Sequence, residues 1–144
     1  TKQSEIMANF SLTAAINGDY LLYQPDYSQL LMLNVENKVE KKVEIEGLGK
    51  VTHILTSYEN PWVIIINQPD RQQSHYSFIL YNVQSGELEQ LSLPEHMVNF
   101  HVAWVNNEQF LISYLIHNNG VQKEETYIIE LQRLIQKKQE NANK

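Results

Sequence analysis

The residues that could do chemistry in this chain are few and scattered. It has five histidines, at 53, 75, 96, 101 and 117, and three aspartates, at 19, 26 and 70. It has no cysteine, which excludes a thiolate metal site, a cysteine nucleophile and a disulfide framework. Asp26, Asp70, Arg71, His75, His96 and His117 all lie in polar stretches between apolar runs. Asp26 and Asp70 each end a "QPD" tripeptide, and a carboxylate pair is what glycoside hydrolysis uses, but a shared turn position accounts for both without chemistry. His53 and His101 stand 48 residues apart in similar surroundings. Two imidazoles could contribute to a metal centre, but such a centre takes three or more ligands and no carboxylate accompanies either locally. No Gly-x-Ser-x-Gly elbow, His-Glu-x-x-His, P-loop or Gly-x-Gly-x-x-Gly occurs, and the "GLG" at 47–49 reads as a turn. The residues therefore weigh against an enzyme and assign no catalytic residue, no metal and no cofactor.

Composition narrows the partners. Eleven basic against 17 acidic residues give a formal net charge of −6, with no dense basic patch before the last dozen residues. Duplex nucleic acid needs clustered Lys and Arg, so it is not an expected partner. At 42% hydrophobic and 19% charged, the 144 residues have the composition of a folded domain, expected as one unit over 1–144. The longest apolar run, "WVIII" at 62–66, is strand-sized and far short of a membrane-spanning helix. The absence of cysteine, the start at Thr1 and the polar ends lead to the expectation of a bacterial, extracytoplasmic protein whose leader has been removed, with the cytoplasm as the alternative.

The elements that must position these residues repeat. "FILYNVQSGELEQLSL" (78–93) is matched 48 residues earlier by "LLMLNVENKVEKKVEI" and 48 later, fading part-way, by "TYIIELQRLIQKKQEN". The displacement holds from residue 30 to 131, aligning Asn34-Val35 with Asn82-Val83, His53 with His101 and Trp62-Val63 with Phe110-Leu111. Before residue 30 it becomes 42, the difference falling in the loop 67–76. Each copy divides into short apolar runs separated by turn residues, 11 strands in all. The second strands, "WVIII" and "FLISYL", are apolar on both faces and call for cover on both sides. The fourth strands, "VEKKVEI" and "ELEQLSL", have one apolar and one charged side, which suits an outer strand. The third copy has no fourth strand. Leu131, Leu134 and Ile135 instead share a helical face, predicting a short C-terminal helix within 130–141.

Repeats of this length, with four strands each and Asn82, Ser85 and Gly86 at the hairpin between third and fourth strands, resemble the blades of β-propellers of the quinoprotein and TolB-like types. The resemblance covers about residues 8–131 and identifies no particular family. It implies an all-β fold of three blade-like antiparallel meanders, about 8–46, 50–93 and 98–131. Propellers typically close with 4–8 blades, so three imply an incomplete ring, one completed by another chain, or a fragment of a larger propeller.

Meander topology sends the loops at 24–28, 46–50, 68–76, 94–97 and 117–125 to one end of the sheets, gathering Asp26, Asp70, Arg71, His75, His96 and His117 there as the candidate surface for a ligand or partner. The leading expectation is a non-catalytic interaction or sensor module that meets a protein partner, or its own copy, through loops or an open sheet edge. The alternative is a small-ligand-binding or hydrolytic domain using the long-loop end.

Overall fold

The computed structural model describes residues 13–26, 29–57, 59–69, 76–91 and 97–131. Among the described residues eleven strands form three antiparallel sheets, and no helical element is seen. The first sheet has the order β1 (Ala14–Asn17), β2 (Tyr20–Asp26), β3 (Gln29–Asn34), β4 (Glu40–Lys42). The second has the order β5 (Lys50–Thr56), β6 (Trp62–Gln68), β7 (Ser77–Asn82), β8 (Leu88–Leu91). The third is β9 (Met97–Trp104), β10 (Gln109–Asn118) and β11 (Val121–Glu130), with β10 central. The chain divides into two compact units, one of Thr1–Thr56 with Pro61–Leu93 and one of Ser57–Asn60 with Pro94–Lys144.

The first unit holds two sheets around one core. Leu22, Leu30, Met32 and Val43 come from the first sheet, and Val51, Val63, Ile65, Ile79, Tyr81 and Val83 from the second, all buried. Burying a side chain of this size contributes about 1.5–3 kcal/mol, so this layer is the main cohesive force of the unit. The apolar residues of the "VEKKVEI" segment behave as their spacing suggests. Val43 is in the core and Ile45 packs against it, while Glu40, Lys41 and Lys42 are exposed. On β6 both faces are buried, as an all-apolar strand requires.

The repeat is written into the ladders. Tyr20 pairs with Asn34 in the first sheet and Trp62 with Asn82 in the second, the same register displaced by 42 and 48 residues. Both hairpins close alike. Asn34 Oδ1 accepts from the N–H groups of Glu36 and Asn37, and Asn82 Oδ1 from those of Gln84 and Ser85. The backbone of Lys38 donates to Asn34 O, and that of Gly86 to Asn82 O. Lys38 and Gly86 both have positive φ, at 61° and 80°. Asn forms this turn because its short side-chain oxygen reaches the N–H groups two and three residues on. The third copy has Glu130 at that position, the last residue of β11.

The structure corrects three expectations. First, β10 follows β6 by 47 residues, not 48. Val63 pairs with Thr56 and Tyr81, and it is Phe110 that pairs with Trp104 and Ile129, so Phe110 replaces Val63 and Ile112 replaces Ile65. Burial selects this alignment, because Phe110 and Ile112 are fully buried while Leu111 is half-exposed. Second, 117–125 is not a loop. Asn119 and Gly120, with φ of 53° and 78°, make a two-residue turn, and ten consecutive pairs follow without a bulge. Both central residues at positive φ give the turn whose twist matches paired strands. Third, 24–28 is mostly strand, since β2 runs to Asp26 and β3 begins at Gln29, an extra residue on β2 being absorbed by a bulge at Gln24-Pro25. A bulge is where a strand tolerates proline. The short C-terminal helix expected within 130–141 is not seen: β11 runs to Glu130, and the residues beyond Leu131 lie outside the described ones.

Candidate functional site

Of the six residues singled out by the sequence, one can be followed in full. Asp26 is exposed at the end of β2, paired with Gln29. Asp70, Arg71, His75 and His96 lie outside the described residues. His117 is on β10 opposite Gln122, and its side chain is outside the described set. His53 and His101 are exposed on β5 and β9, each next to a bulge in its ladder. Among the described residues no group of three or more His, Asp or Glu could hold a metal ion.

At the end of the first unit where the long loops were expected, the structure builds a buried amide node that sequence reasoning missed. Gln24 is 8% exposed; its Nε2 donates to Gly49 O at 2.8 Å and its Oε1 accepts from Val51 N–H at 2.7 Å. Thr13 Oγ1 donates to Val51 O at 2.9 Å. The two side chains thus take the place of a neighbouring strand beside β5. Asn67, 1% exposed, accepts from Gly49 N–H and donates to Ser77 O. Gly49 is where the first "QPD" side chain meets the end of β6, and a Cβ there would stand 1.9 Å from Gln68 O. The repeated "QP" was the one available signal for Gln24, and it misled because Gln68 occupies a different place on its strand.

A groove of about 380 Å³ opens beside this node. Its polar wall is Glu46, Asn67, Ser77 and Gln90, and its apolar wall Ile45, Ile79 and Leu88. Gln90 Nε2 donates to Ser77 Oγ at 3.3 Å. Amides and a hydroxyl in such a wall can orient a ligand by hydrogen bonds, but the set contains no nucleophile paired with a base.

The second unit has a shallower groove of about 470 Å³ lined by Asn99, Phe100, His101, Ser113, Tyr114, Leu115 and Glu124. Ser113 faces His101 across the ladder, which invites a nucleophile–base reading. The hydrogen bonds argue otherwise: Ser113 Oγ donates to Glu124 at 3.3 Å and accepts from Thr126 Oγ1 at 3.1 Å. On the opposite face the stacked Tyr114 and Tyr127 rings both donate to Glu125 Oε2, and Lys123 Nζ lies 3.6 Å from Oε1. Burial first, then bonding to Tyr127 and Glu125, holds the Tyr114 phenol above its ordinary range. The hydrogen bond from Tyr127 leads the causes that hold Glu125 below its own, with Tyr114 and Lys123 adding to it.

The most exposed apolar surface of the second unit is on β11. Val121, Tyr127 and Ile128 are 66%, 50% and 59% exposed. Tyr127 and Ile128 correspond to Ile79 and Leu80, which β8 covers in the second sheet by pairing with Gln90 and Glu89. Among the described residues no strand pairs with the outer side of β11.

No protein-family model matches the chain, and no curated protein matches it. Among solved structures, a chain from the S. cerevisiae assembly of Dbp5 with Nup159, Gle1, IP6 and ADP is similar at 17% identity and a TM-score of 0.45, over 82% of this chain. This chain spans 30% of the length of that one. A likeness at that level carries no functional assignment. What the fold itself defines is an all-β protein of repeated antiparallel sheets. No helix among the described residues is long and apolar enough to cross a membrane.

Proposed function

We propose that this chain is a non-catalytic interaction module built of propeller-like blade repeats, and that it works by accepting an extended segment along the outer edge of β11. The observation that carries the reading is the berth at 126–129. It corresponds to the stretch 78–81 that β8 covers, and it leaves Tyr127 and Ile128 in water. A strand edge of this kind pairs readily with added strands, main-chain bonds supplying affinity and alternate side chains specificity. Asp26, Asp70, Arg71, His75, His96 and His117 remain proposed as a secondary contact surface. The test is fluorescence anisotropy with a labelled peptide of sequence ELEQLSL, that of residues 87–93, of which Leu88–Leu91 pair with the corresponding stretch in the second copy. Saturable binding that Ile128→Pro abolishes supports the reading; peptide binding unchanged by that substitution, or none, defeats it.

One observation favours a second reading, small-ligand binding in the first unit. The groove of about 380 Å³ is at the proposed long-loop end and is lined by amides and a hydroxyl. Fragment screening by NMR would support it through shifts clustered at Asn67, Ser77 and Gln90, and shifts spread over the surface would count against it.

A further inference from the structure

We propose that Asn119, at the tip of the β10–β11 hairpin, is a site of spontaneous covalent modification. Its side-chain amide is lost through a cyclic imide, and opening of that ring converts the residue to isoaspartate and aspartate.

The sequence offers two Asn-Gly dipeptides, at 17–18 and 119–120. Glycine after asparagine favours this reaction, because it has no Cβ to crowd its nitrogen as that nitrogen approaches the neighbouring side chain. Sequence alone gives both sites the same rank, and the fold separates them. Ring closure brings the glycine nitrogen onto the asparagine Cγ, which requires rotation about the Cα–C bond of the asparagine. Asn17 is 8% exposed, ends β1 and pairs with Tyr20, so there the rotation breaks the ladder and waits for the strand to open. Asn119 and Gly120 are both exposed and lie between the closing pair Asn118–Val121, in no ladder pair of their own. Both have positive φ, 53° and 78°, as the two-residue turn requires. A rotation at Asn119 can be taken up within the tip by Gly120, which adopts either sign of φ.

In the first step the Gly120 nitrogen bonds to Asn119 Cγ as the Cγ–Nδ2 bond breaks. The proton of the Gly120 N–H leaves with Nδ2 as ammonia. Water then adds to one of the two ring carbonyls. Addition at Cγ gives aspartate; addition at the main-chain carbon gives isoaspartate, whose chain runs through Cβ and Cγ. The attacking form is the deprotonated nitrogen, so the rate rises with pH.

The two products differ in consequence. Aspartate suits this turn nearly as well as asparagine, since Asp-Gly is among its preferred pairs. Isoaspartate adds a carbon to the main chain at the turn that sets ten consecutive pairs. The pairs nearest the tip, Asn118–Val121 and His117–Gln122, are the first to lose their register. Either product also adds a negative charge to a hairpin whose β11 already carries Glu124, Glu125 and Glu130.

The experiment is a time course of the full chain at mildly alkaline pH, with peptide mapping by electron-transfer mass spectrometry, which distinguishes isoaspartate from aspartate. In the folded chain, conversion at Asn119 is expected to run at least about tenfold faster than at Asn17, which reacts only through opening of its strand. In denaturing urea the two should react within about threefold of each other, both being plain Asn-Gly sequences in an open chain. Asn119→Asp, which supplies the aspartate product alone, should keep the amide protection of the hairpin. Aged chain enriched in isoaspartate should exchange several-fold faster in the pairs next to the tip. Equal rates at Asn17 and Asn119 in the folded chain, or an Asn119 rate there more than about tenfold below its rate in urea, overturns the assignment. Exchange in the isoaspartate-rich chain that matches Asn119→Asp overturns the effect on register.

Discussion

Gln24→Glu is the substitution that examines the buried node most sharply, because it changes one donor into an acceptor at nearly constant volume. As an amide, Gln24 accepts from Val51 N–H and donates to Gly49 O, at 2.7 and 2.8 Å. A carboxylate keeps the first bond and turns an oxygen towards the Gly49 carbonyl. The lost bond and the carbonyl left without its donor cost about 1–3 kcal/mol, and the buried charge adds to that. A protonated carboxyl can still donate to Gly49 O, so the penalty falls on the ionised form alone. The folded state then holds the introduced carboxyl above its unfolded value of about 4.3. The sign follows: below about pH 4.3 the variant is close to the parent, and it loses stability as pH rises towards the folded pKa. A penalty of about 2–3 kcal/mol corresponds to about two pH units, so the loss develops between about pH 4.3 and 6.3 and is constant above. The assay is urea denaturation of parent and variant from pH 4 to 7.5, read as their difference, with Gln24→Leu as a control that loses both bonds at every pH. A difference that does not change with pH, or a variant as stable as the parent at pH 7.5, would refute the bonding described for Gln24.

Three further outcomes follow from the geometry. Lys38 has φ of 61° where the second copy has Gly86, so Lys38→Gly should raise stability by about 0.5–1 kcal/mol and Gly86→Ala lower it by a similar amount, both measurable from denaturant midpoints. Gly49→Ala should cost roughly 3 kcal/mol or more in thermal or urea unfolding, since its Cβ would meet backbone atoms of Gln68 at 1.9 and 2.7 Å that cannot rotate away. The Tyr23 phenol, hydrogen-bonded to Glu40 and partly desolvated, is held up to about 12; absorbance titration at alkaline pH should show one tyrosine released towards 10 in Glu40→Gln. Because the folded value is raised, this bond supports the fold below about pH 10 and is lost as pH climbs towards 12.

Much of the architecture was legible because it rests on local rules. Asn34 and Asn82 announce the hairpins that follow them, Lys38 and Gly86 sit at equal offsets, and the charges of 40–42 and 89 mark outer strands. Trp62 is buried, and the half-buried Trp104 meets Phe110 edge-on. Where the reading slipped, another local signal was underweighted. Asn119-Gly120 is a strong two-residue hairpin signature, and treating 117–125 as a loop also hid the true length of β10 and β11.

By itself, the order of residues determined the three-fold repetition, the strands and their turns, since alternation, turn chemistry and period act over a few residues. The tertiary structure decided what depends on partners far apart in the chain. Phe110 rather than Leu111 faces inward because the ladders on both sides of β10 demand it. Gln24 is structural because folding brings Gly49 and Val51 within 2.8 Å of an amide that reads in the sequence as part of a polar turn. The edge of β11 became the candidate interface for the same reason. An exposed apolar pair is ordinary in a sequence, and only the pairing of β8 over its counterpart shows that a strand belongs there.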